Sequence, residues 1–143
     1  MSELLPARTV ESGNASGLPL RLAGPLSFWG GFDAARGLIV EQGHPDHGAS
    51  LQGRVLLMER AKGSSSSSSV LAEAIRHGTG PCAMVMREAD LIVALGAIVA
   101  RELYGAVMPI VVVDAAVWQR LCDNEGPLTV TALDDGSASL RML

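Results

Sequence analysis

A mixed α/β fold, layered β/β/α as a barrel, is what this sequence predicts, and three features predict it. Residues 53–59 form an apolar, β-branched run, and beyond the serines that follow it Val70, Leu71, Ala74 and Ile75 recur at helical spacing, so the pair reads as a strand–helix unit. Residues 109–113 (Pro-Ile-Val-Val-Val) are apolar throughout, as a strand covered on both faces must be, and Asp114 then opens a short helix over 114–121. Residues 128–133 and 139–142 flank Asp134-Asp135-Gly136, the pattern of a β-hairpin.

The remaining elements follow in order. Residues 1–17 are polar, with Pro6, Gly13 and Gly17, and are expected to form a loose N-terminal segment ahead of a single domain over 18–143. Residues 18–23 alternate weakly and suit an edge strand. Gly24-Pro25 turns the chain into 26–29, read as another short strand, and Gly30-Gly31-Phe32-Asp33 reads as a bend. A strand over 37–41 leads to the loop Gly43-His44-Pro45-Asp46-His47-Gly48. Its two histidines and aspartate are metal-ligating types, but Pro45 and the glycines break the helix that would align them and no third ligand follows, so a surface loop is expected. The helix after the serines stops at Gly78. Gly80-Pro81 leads into a strand over 82–86, and Asp90 caps a helix over 92–104 that ends before Gly105.

Composition bounds the function. Hydrophobic residues make up 48% of the 143 and charged ones 18%, which requires a packed core; with only 3% aromatic residues that core must be aliphatic. So apolar a chain also suits a surface partly covered by a partner. A net charge of −4 supplies no basic field for nucleic acid. Cys82 and Cys122, with no Cys-x-x-Cys, cannot alone ligate an iron–sulfur cluster or a structural zinc, and read as small buried hydrophobes. Residues 1–20 lack the pattern of a secretory signal, and the longest apolar stretch, 91–100, is about half of what a membrane span needs. A cytoplasmic protein that does not enter a membrane is expected.

The stretch richest in chemistry is Lys62-Gly63 and the six serines 64–69. A serine run of this kind is often a flexible linker, but this one has core on both sides and is expected to turn a strand into a helix. The first turn of a helix leaves N–H groups without partners and carries partial positive charge, so it attracts anions. Gly63 allows close backbone approach, the hydroxyls of Ser64, Ser65 and Ser66 donate or accept, and Lys62 adds a cation. The order Lys-Gly-Ser excludes a Walker loop.

Gly63-Ser64-Ser65, after a strand and opening a helix, resembles the Gly-Ser-Ser loop in the swivelling domain of aconitase-superfamily hydro-lyases. Together with Leu26-Ser27-Phe28-Trp29-Gly30-Gly31 and Ala94-Leu95-Gly96-Ala97-Ile98-Val99-Ala100, in that order, it is most similar to the small subunit of AcnX-type proteins, over roughly residues 18–114. The resemblance implies a barrel-like swivelling domain whose 30–33 bend faces an active-site cleft. It implies a two-subunit hydro-lyase in which a larger catalytic subunit carries the iron or iron–sulfur centre and this chain alone binds none. Ser64 would be the catalytic base that takes the proton alpha to a carboxylate; Lys62, Gly63, Ser65 and Ser66 would hold that small carboxylate substrate. Ser66 stands where classical aconitases have arginine, and Lys62 where AcnX members often have it. Dehydration of cis-3-hydroxy-L-proline is the favoured reaction, with phosphomevalonate dehydration the alternative. A non-catalytic anion-binding or regulatory module, or a phosphohistidine carrier using His44, His47 or His77, are the readings outside this class.

Overall fold

The computed structural model describes residues 3–142. In chain order its elements are β1 (Glu3–Glu11), β2 (Gly13–Gly17), β3 (Pro19–Arg21), the single irregular turn α1 (Phe28–Gly31), β4 (Phe32–Asp33), β5 (Leu38–Ile39), β6 (Val55–Leu57), α2 (Ser67–His77), β7 (Ala83–Met86), α3 (Leu91–Tyr104), β8 (Ile110–Val112), α4 (Ala115–Cys122), β9 (Leu128–Ala132) and β10 (Ser137–Met142).

Eight strands form one mixed sheet in the order β2-β9-β10-β1-β8-β7-β6-β3. Its parallel part, β3-β6-β7-β8, carries the strand–helix units, and its antiparallel part holds the β9–β10 hairpin. The edge strands β2 and β3 are separated in sequence by Leu18 alone, so the sheet must curl until its edges nearly meet. Beside that seam the β3–β6 ladder runs on, Val55 N–H donating to Leu18 O at 3.0 Å and the Arg54 guanidinium to Pro19 O at 2.6 Å, and from β2 Ser16 O accepts from Cys82 Sγ at 3.6 Å. The result is a nearly closed barrel with α2 and α3 on its outside.

Strand alternation separates two apolar cores. Val55, Leu57, Ala83, Val85, Val111 and Val113 point into the barrel, where they meet Val130 and Leu140 of the hairpin and Trp118 of α4. Leu56, Met58, Met84, Met86 and Ile110 point outward, under Leu71 and Ala74 of α2 and Val93 and Ala97 of α3. The apolar runs predicted as buried strands are thus buried on both faces, and β8 is an interior strand.

Four expectations need correction. Residues 3–17 are not loose: β1 pairs with both β10 and β8, and β2 with β9 (residues 1, 2 and 143 lie outside the described residues). Pro6 is tolerated because the ladder with β8 begins only at Arg8, so at Pro6 the strand has one neighbour. Residues 26–29 do not make a strand; Phe28 is buried in the helical turn α1. The helix after the serines starts at Ser67, three residues ahead of its apolar periodicity, so the last three serines belong to the helix and not to the turn. His44, expected on a surface loop, is 6% exposed. Its Nδ1 accepts from Asp46 N–H and its Nε2 meets Gly24 O, so it clasps two loops together.

Candidate functional site

At the C-terminal end of β6 the chain leaves the sheet, and α2 takes it up at Ser67. Lys62, Gly63, Ser64, Ser65 and Ser66 are exposed on this turn, whereas Ser67 is buried. The turn folds on itself. Ser64 Oγ accepts from Ser66 N–H at 3.0 Å, and the carbonyls of Ser64, Ser65 and Ser66 accept from the amides of Ser67, Ser68 and Ser69. Ser66, the last residue before the helix, is itself in helical conformation and its side chain caps nothing. The amides that precede the closed turn, at Ser64 and Ser65, are the ones an incoming anion would meet, along with three hydroxyls.

The three sequence motifs converge here. Gly63 has φ +106° and lies against Ser27: a Cβ at this position would fall 2.1 Å from Ser27 Oγ, so no larger residue fits. Ser27 Oγ donates to Trp29 O, and Trp29 N–H donates to the buried Ser67 Oγ at 3.1 Å, stitching residues 26–31 to the start of α2. From the other side, Gly96 lets α3 close on α2, since a Cβ there would lie 2.9 Å from Ser68 O and 3.1 Å from the Leu71 side chain. A helix start held from two sides keeps its hydroxyls in place without needing a side-chain cap.

A cavity of about 180 Å³ opens beside the turn, lined by Lys62, Gly63 and Ser64 on one side and by Asp90 and Ile92 at the start of α3 on the other. It is smaller than the ~300–1,000 Å³ of a pocket for a drug-sized ligand, a scale suited to a small acid or part of one. Chemically, the N–H donated to Ser64 Oγ stabilises negative charge on that oxygen, which favours alkoxide character.

Two charged groups change the reading of the site. Lys62 is not a free cation, because its Nζ pairs with Glu41 Oε2 at 2.7 Å. Sequence reasoning gave Glu41 no role beyond ending a strand, yet its other oxygen accepts from Ser27 N–H at 3.3 Å, so it ties Lys62 to the 26–31 segment. Burial pushes the Glu41 carboxyl up, but the Lys62 ammonium and the Ser27 N–H outweigh it and hold the group below the usual carboxylate range. Asp90, predicted as a helix cap, accepts from the amides of Ile92 and Val93 and also lines the cavity. No signal in the sequence joins Glu41 to Lys62, which lie 21 positions apart.

Elsewhere, Cys82 and Cys122 are free and half buried against the barrel core. Among the described residues no three His, Cys, Asp or Glu side chains come together as a metal site, and no helix is long and apolar enough to cross a membrane. His47 and His77 are exposed; His77 Nδ1 sits 3.9 Å from a Glu73 carboxylate oxygen.

Comparisons with known proteins bear on the fold and the family. Cis-3-hydroxy-L-proline dehydratase of Pseudomonas aeruginosa is 42% identical over 86% of this chain, which spans 22% of that protein's length. The phosphomevalonate dehydratase small subunit of Methanothermobacter thermautotrophicus is 40% identical over 65% of this chain and 71% of its own. In three dimensions the chain superposes on the crystal structure of Thermococcus kodakaraensis aconitase X (holo form) with a TM-score of 0.80 at 28% identity, covering 96% of this chain and 98% of that one. The solution structure of a UPF0107 protein gives 0.81 at 27% identity, with 99% of both chains covered. The family model described as the aconitase X swivel domain matches residues 4–138, and the chain belongs to that family.

Proposed function

We propose that the chain is the small, swivel-domain part of a hydro-lyase that dehydrates cis-3-hydroxy-L-proline, working with a larger iron-binding catalytic subunit in the cytoplasm. The observation that carries this reading is the convergence of three motifs on the exposed start of α2, beside a cavity of a size for a small acid. The 42% identity to the Pseudomonas dehydratase supports the choice of substrate.

In this reading Ser64 Oγ, as the alkoxide that the Ser66 N–H stabilises, takes the proton alpha to the substrate carboxylate and becomes a neutral hydroxyl, while the electron pair of the broken C–H bond forms the double bond as the substrate's hydroxyl departs. Ser65 holds the carboxylate by hydroxyl and amide and Ser66 by its hydroxyl, Gly63 lets it approach, and Lys62 stands at the edge of the cavity. An iron or iron–sulfur centre would supply polarisation of the departing hydroxyl. The donor groups of this chain do not fit such a centre, since no three His, Cys, Asp or Glu side chains come together among the described residues, so we assign it to the larger subunit. Phosphomevalonate dehydration is the second reading; the family's separate small subunits, of which this chain spans 71% in one case, favour it.

Co-expression with the large subunit, iron analysis and assays on both substrates test the proposal. Turnover of cis-3-hydroxy-L-proline by the pair and none by this chain alone is expected. Full turnover by this chain alone, or none by the pair on either substrate, overturns it, the latter in favour of a non-catalytic anion-binding module.

A further inference from the structure

We propose that Glu41 sets the charge class of the ligand that the serine turn accepts, by neutralising Lys62, so that a zwitterionic carboxylate is preferred to a phosphate dianion. This rests on the serine turn being the substrate site.

Charge-assisted bonds from unpaired cations give the strongest hold on a phosphomonoester dianion. Here the cation bordering the cavity is Lys62, and its ammonium is held by Glu41 at 2.7 Å. Asp90 is a second carboxylate, and it lines the cavity itself, with part of its charge absorbed by the amides of Ile92 and Val93. His44, near Glu41, accepts at Nδ1 from Asp46 N–H and meets Gly24 O through Nε2, so both ring nitrogens are engaged by backbone groups away from the cavity. The charged side chains named here therefore sum to one cation against two carboxylates. A dianion entering this site is met by hydroxyls and amides with no net positive side chain. An amino acid with a carboxylate and an ammonium finds amides for the first and the Asp90 carboxylate for the second.

Glu41→Gln isolates the effect. The amide keeps an oxygen for Ser27 N–H while removing the charge, so the scaffold persists and Lys62 is released. The full chain is titrated with inorganic phosphate and, separately, with L-proline, following the amide NMR shifts of residues 63–67. An exposed ion pair carries a factor of about 1.5 to 5, so phosphate should bind the variant more tightly by that order, with the gain growing as salt is lowered. L-Proline should bind no better. In a Lys62→Gln background the same substitution should give no gain, which a purely structural role for Glu41 would not predict. Unchanged phosphate affinity in Glu41→Gln, or a gain that survives loss of Lys62, overturns the proposal. Should Glu41→Gln lower the folded fraction, Glu41→Asp carries the test, because it keeps the charge and must keep phosphate binding at its wild-type weakness; a gain there overturns the proposal as well. Turnover by the assembled enzyme is scored independently, so failure of the dehydratase reading and failure of this one are told apart.

Discussion

Helices α2 and α3 lie side by side on the same sheet and start at the same cavity, yet their first turns are finished in opposite ways. The start of α3 is closed by a full negative charge, the Asp90 carboxylate accepting from two amides. The start of α2 is finished by neutral groups only: the Ser64 hydroxyl on one amide, and the turn's own carbonyls on the next three. A helix end that already holds a carboxylate has its partial positive charge answered and repels a further anion. One finished by hydroxyls keeps that charge for a ligand. Stability and binding are thus divided between two neighbouring helix starts, and the division can be broken one residue at a time.

The largest expected effect is at Ser64. In the assembled enzyme Ser64→Ala should lower turnover by ~10²–10⁴-fold, as loss of a catalytic base does, while KM changes far less. The chain should still fold, since Ser64 is exposed and its carbonyl still accepts from Ser67 N–H. Near-normal kcat for this variant, with Ser65→Ala inactive, would move the base one residue along. Next is Gly63→Ala, which places a Cβ against Ser27 in a left-handed backbone and should cost about 1–3 kcal/mol from strain alone. Denaturant titration reads the loss. A variant as stable as the parent would show that the 26–31 segment does not hold the turn.

How much of this was legible in sequence divides along a similar line. Strands β6, β7 and β8 and helix α3 with its Asp90 and Gly105 ends could be read because their signals are local, in apolar runs, helical period and caps. Strands β1 and β2 could not, because what makes them strands is pairing across the whole chain, such as Glu3 with Met142 and Gly17 with Leu128. Phe28 and Trp29 favour strands by type, but burial of Phe28 and the bond from Trp29 N–H to Ser67 hold them in a turn. In the site, the serine turn was visible as a break between two apolar patterns. Glu41 was not, since an ion pair between separate loops leaves no trace in the spacing.

A smaller effect belongs to α3. Asp90→Ala should cost about 1 kcal/mol, and no more than ~2, by exposing the amides of Ile92 and Val93 without a partner. In the assembled enzyme kcat should hardly move, while KM should rise because the Asp90 carboxylate also lines the cavity. An unchanged KM would show that Asp90 serves the helix alone and that the two helix starts act separately.

The smallest effect tests where the α2 start ends and its helix begins. Ser69 is exposed, and its hydroxyl donates to Ser66 O at 2.8 Å, a local bond of the kind that serine makes in a first turn. Ser69→Ala removes that bond but also places the best helix former at the position, a gain of about 0.5 kcal/mol that offsets most of the loss. Stability should therefore stay within ~0.5 kcal/mol of the parent. Turnover should be unchanged too, because the hydroxyl is spent on Ser66 O rather than offered to the cavity, which Ser64 and Ser67 line but Ser69 does not. Unfolding midpoints and steady-state rates for Ser64→Ala and Ser69→Ala, measured in parallel, give the sharpest contrast. Equal silence from both would reduce the serine run to a turn between strand and helix. Equal loss from both would mean that the whole run acts as one unit, and the boundary drawn at Ser67 would fail.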